Sequence, residues 1–181
     1  QFPEFGILAI AIMITMLTGG IDLSAVSIAN LSAVCAALTL GWLVSPDATL
    51  LQALPGMAVA LVVIFGIGTV CGLFNGFLIA RVGITLILAT LGTLSLYAGF
   101  AVAITKGRAQ PGVSQLLFLG SGDLLGVPMP MVIFLLLALL FSLILGRTTF
   151  GFNVYMLGSN PTAARFSGIN TVGVLLRTYW L

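Results

Sequence analysis

Histidine is absent from this 181-residue sequence, and charge is scarce, with six Lys or Arg and four Asp or Glu in all. Lacking histidine, the chain lacks the commonest general base and metal ligand, so a nucleophilic serine or cysteine has no activating partner of that kind. No glycine-rich loop ending in lysine is present to cradle nucleotide phosphates. A net charge of +2 offers no basic stripe for nucleic acid. The two cysteines, Cys35 and Cys71, sit in apolar runs without the spacing of a metal site or a disulfide framework, and they read as packing residues. No catalytic residue, bound metal or cofactor is expected.

What the chain has in excess is apolar length. Sixty per cent of residues are hydrophobic against 6% charged, with a mean hydropathy of +1.27, whereas soluble domains carry about a quarter charged residues. Uninterrupted apolar stretches cover residues 59–80, 84–104 and 130–145, and crossing a ~30 Å hydrocarbon core takes about 20 helical residues. Alternation of the membrane-barrel type is missing. The expected fold is therefore all-α, a polytopic transmembrane helical bundle in one domain, 1–181, embedded in the lipid bilayer. Because the sequence opens at Gln1 and stops about ten residues into a new apolar run from Thr171, it is expected to be incomplete at both ends.

Along the chain, a short helix is expected over 5–18, a break at Gly19–Asp22, and a second helix from Leu23 to about Val44. Ser45-Pro46-Asp47 makes a turn, and Pro55 suits the first turn of a third helix ending near Ala80. Arg81-Val82-Gly83 connects tightly to 84–104. A glycine-containing loop over 105–127 carries Lys106, Arg108 and Asp123, and Pro128 opens the next helix. Residues 147–170 read as a polar loop before the last segment. Alternation of spans puts Arg81, Arg147 and Arg165 on one side and Lys106 and Arg108 on the other, so the positive-inside rule places 147–170 in the cytoplasm and 105–127 outside.

Two kinds of motif stand out. Gly68, Gly72 and Gly76, spaced by four, form a small-residue row on which a neighbouring helix can approach closely. Asn75 beside the row either seeks a buried partner or lines a polar path. Asp22 is a carboxylate at a helix break in apolar sequence; it either caps the helix starting at Leu23 or faces a cavity, and both roles are compatible. Gly120-Ser121-Gly122-Asp123 looks like an aspartyl-protease run, but no second intramembrane carboxylate accompanies it, and it reads as a turn.

Gly19-Gly20-Ile21-Asp22-Leu23-Ser24, Leu73-Phe74-Asn75-Gly76, Ala89-Thr90-Leu91-Gly92-Thr93, Leu125-Gly126-Val127-Pro128-Met129, Arg147-Thr148-Thr149-Phe150-Gly151 and Gly158-Ser159-Asn160 leading into 163–169 occur in one order along the chain. Together they resemble the membrane permease subunits of bacterial ribose-type sugar importers driven by ATP-binding-cassette ATPases, with ribose, xylose and galactose among the solutes. Ala25-Val26-Ser27 stands where that family usually has Ser-Val-Gly, and Phe152 where it usually has arginine. The resemblance implies a permease of the bacterial cytoplasmic (inner) membrane that imports a pentose or related sugar and is not itself an enzyme. Its implied partners are a cytoplasmic ATPase, an extracytoplasmic solute-binding protein and a second permease subunit, identical or not.

Ala163-Ala164-x-x-x-Gly168 resembles the element by which such importers couple to their ATPase, with Asn160 as N-cap, Pro161 at the first helical position and Arg165 supplying charge. Residues 147–170 are thus the expected cytoplasmic coupling loop. Neutral sugars are held by hydroxyl and amide groups more than by charge, which makes Asp22, Ser24, Asn30, Asn75 and Thr90 the candidates for a substrate path. The alternative is a secondary transporter in which Asp22 at the broken helix binds the coupling ion.

Overall fold

A computed structural model describes residues 2–45, 50–108, 122–124 and 127–181. The elements are α1 (Phe2–Met16), α2 (Ala25–Leu43), α3 (Leu50–Phe77) continuing into a π-helical turn (Leu78–Val82), α4 (Leu86–Thr105), β1 (Asp123–Leu124), β2 (Val127–Pro128), α5 (Met129–Arg147), α6 (Thr149–Ser159), α7 (Pro161–Phe166) and α8 (Thr171–Trp180). Among the described residues the extended structure is one antiparallel ladder pairing Asp123 with Pro128 and Leu124 with Val127. Four helices are long and apolar enough to cross a membrane, Ala25–Leu43, Leu51–Val82, Leu86–Thr105 and Met129–Arg147, so the chain is a polytopic helical bundle.

The bundle is assembled largely through small residues. Ala36 and Leu40 of α2 meet Ala53 and Ala60 of α3, all nearly or fully buried, and lower down Leu31 packs with Cys71, Tyr97 and Ala101 from α3 and α4. Such close approach lets helices associate by dispersion where lipid offers no hydrophobic drive. α1 lies on α5, where the rings of Phe2 and Phe134 meet edge to face at 5.9 Å and 78°. The short α8 packs against the π turn and α4 through Tyr179, Ile79 and Ala89, and against α6 through Val174, Val154 and Leu157.

Several boundaries differ from the sequence reading, each for a local reason. α3 starts before Pro55, which lies inside the helix and has no N–H to give the Leu51 carbonyl four residues back. Arg81 and Val82 belong to the π turn rather than to the connection, and the helix closes at Gly83, whose φ of 81° is open to glycine and strained for other residues. Residues 147–170 are less polar in effect than in composition. Phe150, Val154 and Leu157 recur at helical spacing and give α6 an apolar face, Val154 and Leu157 being buried. Pro46 and Asp47 of the expected turn, the 109–121 stretch of the expected outer loop and the first two residues of the Gly120–Asp123 run lie outside the described residues.

Candidate functional site

Between α1 and α2 the chain leaves helical geometry. Gly19 adopts φ 91°, and Gly20 has no room for a side chain because a Cβ there would fall on Leu86 at the start of α4. After this crossing the Asp22 carboxylate folds over the next residues. Its Oδ1 accepts from the Ser24 amide at 2.8 Å and from the Ser24 hydroxyl at 2.6 Å, an Asx-type turn. α2 therefore begins at Ala25 rather than Leu23, with Ser24 as its N-cap residue. The expected capping by Asp22 is corrected accordingly: the carboxylate grips the N-cap residue itself.

Ser24 is the centre of a buried polar hub. Asn75 of α3 donates through Nδ2 to the Ser24 hydroxyl oxygen at 2.7 Å. The Tyr97 hydroxyl of α4 lies 3.0 Å from the Cys71 carbonyl oxygen and 3.3 Å from Asn75 Oδ1, so one proton serves two acceptors. Thr90 of α4 reaches the Ile21 carbonyl at 3.2 Å and the Leu86 carbonyl at 3.0 Å. Ser24, Asn75 and Thr90 are fully buried. Asn75 stands seven residues before Val82, the end of the span, or about 10 Å of helical rise, so the hub lies inside the bundle.

Four of the five sequence-selected path residues, Asp22, Ser24, Asn75 and Thr90, thus come together. Asn30 does not; it is exposed on α2. A cavity of about 500 Å³ adjoins the hub between α1, α2, α3 and α8, and of the four only Asp22 lines it. Its other polar wall residues include Thr15, Ser32, Thr69 and Thr178. The sequence signal for Ser32 is helical phase: it falls on the same α2 stripe as Ala25, Ile28 and Ala29, whereas Asn30 falls off it. The cavity-lining Tyr179 has a buried hydroxyl without a hydrogen-bond partner among the described residues.

The glycine row divides in two. A Cβ at Gly72 would land on the Tyr179 carbonyl oxygen, and one at Gly76 would lie 3.3 Å from Leu176 Cα, so both seat α8. Gly68 has open space at that position and, like Gly72, borders the cavity.

At the bundle end that holds the π turn, Asn160 Oδ1 accepts from the Ala163 amide at 3.0 Å, with Pro161 following the cap. α7 exposes Ala163, Arg165 and above all Phe166, which is 89% exposed, while Ala164 is fully buried and Gly168 turns the chain at φ 83°. Only one alanine of the pair therefore contributes to the outer face. α6, which precedes it, touches the helix break: a Cβ at Gly158 would fall on the Leu17 carbonyl oxygen.

Comparison with known proteins covers the whole chain. Residues 1–181 match the family described as branched-chain amino acid transport system / permease component. The autoinducer 2 import system permease protein LsrD of Enterobacter sp. (strain 638) is 32% identical over 188 residues, covering 100% of this chain and 54% of the relative. LsrD of Klebsiella pneumoniae subsp. pneumoniae is 31% identical, covering 100% and 53%, and that of Yersinia enterocolitica 30%, covering 100% and 54%. The chain spans about half the length of these curated relatives. No solved structure matches it significantly. With its full-length family match and its four apolar spans, the chain belongs to the branched-chain amino acid and ribose-type permease family of ATP-binding-cassette importers, multi-pass proteins of the inner membrane.

Proposed function

We propose that the chain forms part of the translocating subunit of an importer for a sugar or a sugar-sized neutral solute, with ATP hydrolysed by separate cytoplasmic ATPases. The observation that carries this reading is α7, a capped six-residue helix that holds Arg165 and the 89% exposed Phe166 clear of the bundle. A large aromatic beside an arginine on a rigid projection is the composition of an interface anchor. In this reading 147–170 faces the cytoplasm, and Asn160, Ala163, Arg165 and Gly168 shape the docking element while Ala164 fixes it to the bundle. Lys106 and Arg108, exposed past the far end of α4, face outward toward the solute-binding protein, and a second permease subunit completes the assembly. The relatives named for autoinducer 2 import extend the proposed solutes beyond the sugars of the resemblance.

The second reading is the ion-coupled transporter, favoured by Asp22 at a helix break beside a cavity. Uptake measured in vesicles separates the two. The permease reading expects uptake to stop on ATP depletion with ion gradients clamped; uptake that persists without ATP and collapses with an ionophore overturns it. Phe166→Ala is expected to leave the protein folded and in the membrane while cutting solute-stimulated ATP hydrolysis. Cysteine at Thr162 should react with an impermeant reagent in inside-out vesicles, and labelling from the opposite face alone refutes the topology.

A further inference from the structure

We infer that the cavity between α1, α2, α3 and α8 is a holding site for a neutral, polyhydroxylated molecule of monosaccharide size, with Asp22 and Ser32 as its recognition groups. The inference rests on the permease reading and assigns that reading a place in the chain. A volume of about 500 Å³ lies within the usual range of small-molecule sites, about 300–1,000 Å³.

Three deeply buried polar side chains in its wall are short of partners, the first being Tyr179, whose enclosed hydroxyl makes no hydrogen bond among the described residues. Asp22 is 7% exposed and takes both of its hydrogen bonds on Oδ1, leaving the second oxygen without one. Ser32 is 4% exposed, and its hydroxyl has no hydrogen-bond partner among the described residues. An enclosed hydroxyl without a partner is costly, whereas the second Asp22 oxygen and the Ser32 hydroxyl are not enclosed and open onto the cavity, where a ligand or solvent completes them.

The chemistry of the wall narrows the class of ligand. Thr15 and Thr178 give their protons to the Ile12 and Val174 carbonyls at 2.8 and 2.9 Å, so toward the cavity they can only accept. A carboxylate oxygen and spent threonine hydroxyls ask for O–H donors on the ligand, and Ser32, Thr69 and Tyr179 add hydroxyls able to donate or accept. No basic side chain lines the cavity to hold an anion. Ser32 stands seven residues along α2 from Ala25, about 10 Å of helical rise. Asp22 and Ser32 are therefore spread along the wall rather than gathered into the tight oxygen shell that a cation needs. Ile28, Ile64 and Phe65 supply apolar wall for the C–H faces of a sugar ring.

The test uses the full-length permease with its ATPase and binding protein in proteoliposomes, Cys35 and Cys71 replaced by alanine and Ser32→Cys introduced. The rate of modification by a small methanethiosulfonate reagent is measured with D-ribose, D-xylose, D-galactose, glycerol or sodium chloride present. At least one sugar is expected to slow the reaction, and Asp22→Asn is expected to raise the concentration needed about tenfold, the scale of one charge-assisted hydrogen bond. Binding of the same tritiated sugar to otherwise wild-type and Ser32→Ala permease gives a second measure that does not depend on the cysteine variant, with about a tenfold loss expected. Protection by sodium chloride alone, or by none of the sugars, overturns the site. If ATP-dependent sugar uptake survives such a result, the site fails and the permease reading stands; if ATP-dependent sugar uptake is absent as well, both fail.

Discussion

Replacing Ser24 and Asn75 by alanine, singly and together, measures how firmly the polar hub joins the broken helix to α3. The two side chains meet at 2.7 Å and both are fully buried. A neutral hydrogen bond is worth about 0.5–1.5 kcal/mol net, and stranding a buried partner adds about 1–3 kcal/mol. Ser24→Ala strands the Asn75 amide and removes one of the two donors to Asp22, leaving the backbone N–H in place; about 2–3 kcal/mol of destabilisation is expected. Asn75→Ala leaves the Ser24 hydroxyl on Asp22 and the Tyr97 hydroxyl on the Cys71 carbonyl, so the cost is about 2 kcal/mol, mainly from the lost bond and the space left behind. In the double variant the stranding penalty disappears. Its cost should fall short of the sum by about 0.6–1.7 kcal/mol, from the mean to the maximum coupling of hydrogen bonds between membrane helices. The assay is reversible unfolding in mixed micelles with a denaturing detergent, followed by tryptophan fluorescence. Additivity to within about 0.3 kcal/mol would refute the hub as a coupled unit. Asn75→Asp supplies a sharper control, because it sets a second carboxylate against a hydroxyl whose proton already goes to Asp22; it should destabilise more than Asn75→Ala.

Gly72→Val is expected to destabilise the protein by about 1–3 kcal/mol through overpacking, because its Cβ would land on the Tyr179 carbonyl, whereas Gly68→Val, with open space, should leave thermal unfolding nearly unchanged. Gly158→Ala raises helix propensity yet drives a methyl into the Leu17 carbonyl; solute moved per ATP hydrolysed should fall while basal hydrolysis persists. Gly168→Ala, at φ 83°, should cost about 1 kcal/mol in thermal unfolding, and no loss would argue against the left-handed turn.

The spans were legible in the sequence because length and apolarity alone set them, and the break was legible because paired glycines beside a carboxylate cannot continue a membrane helix. The cap of α7 was legible for the same local reason: Asn160-Pro161 encodes a helix start whatever surrounds it. What the sequence did not disclose depends on phase and on distant neighbours. Asn30 and Ser32 are equally polar and only two positions apart, but one is exposed and the other 4% exposed on the cavity wall, a difference fixed by which face of α2 meets α3. The π turn carries no local signature in Leu78–Val82. The buried face of α6 was hidden because Phe152 and Tyr155, large but exposed, stand between Phe150, Val154 and Leu157, and the cavity draws its wall from four helices, two of them at opposite ends of the chain.

The contact between Gly158 and Leu17 bears on how such chains drift through evolution. Where two side chains collide, a substitution at one position can be offset by a smaller residue at the other, and the pair changes together. Here the obstacle facing position 158 is a main-chain carbonyl, which every amino acid at position 17 would carry. No second substitution at Leu17 relieves a larger residue at 158; the whole of α6 must shift instead. A relative with a bulkier residue at this position must therefore hold α6 at a different angle to the broken helix, and the identity of one residue reports the geometry of the joint.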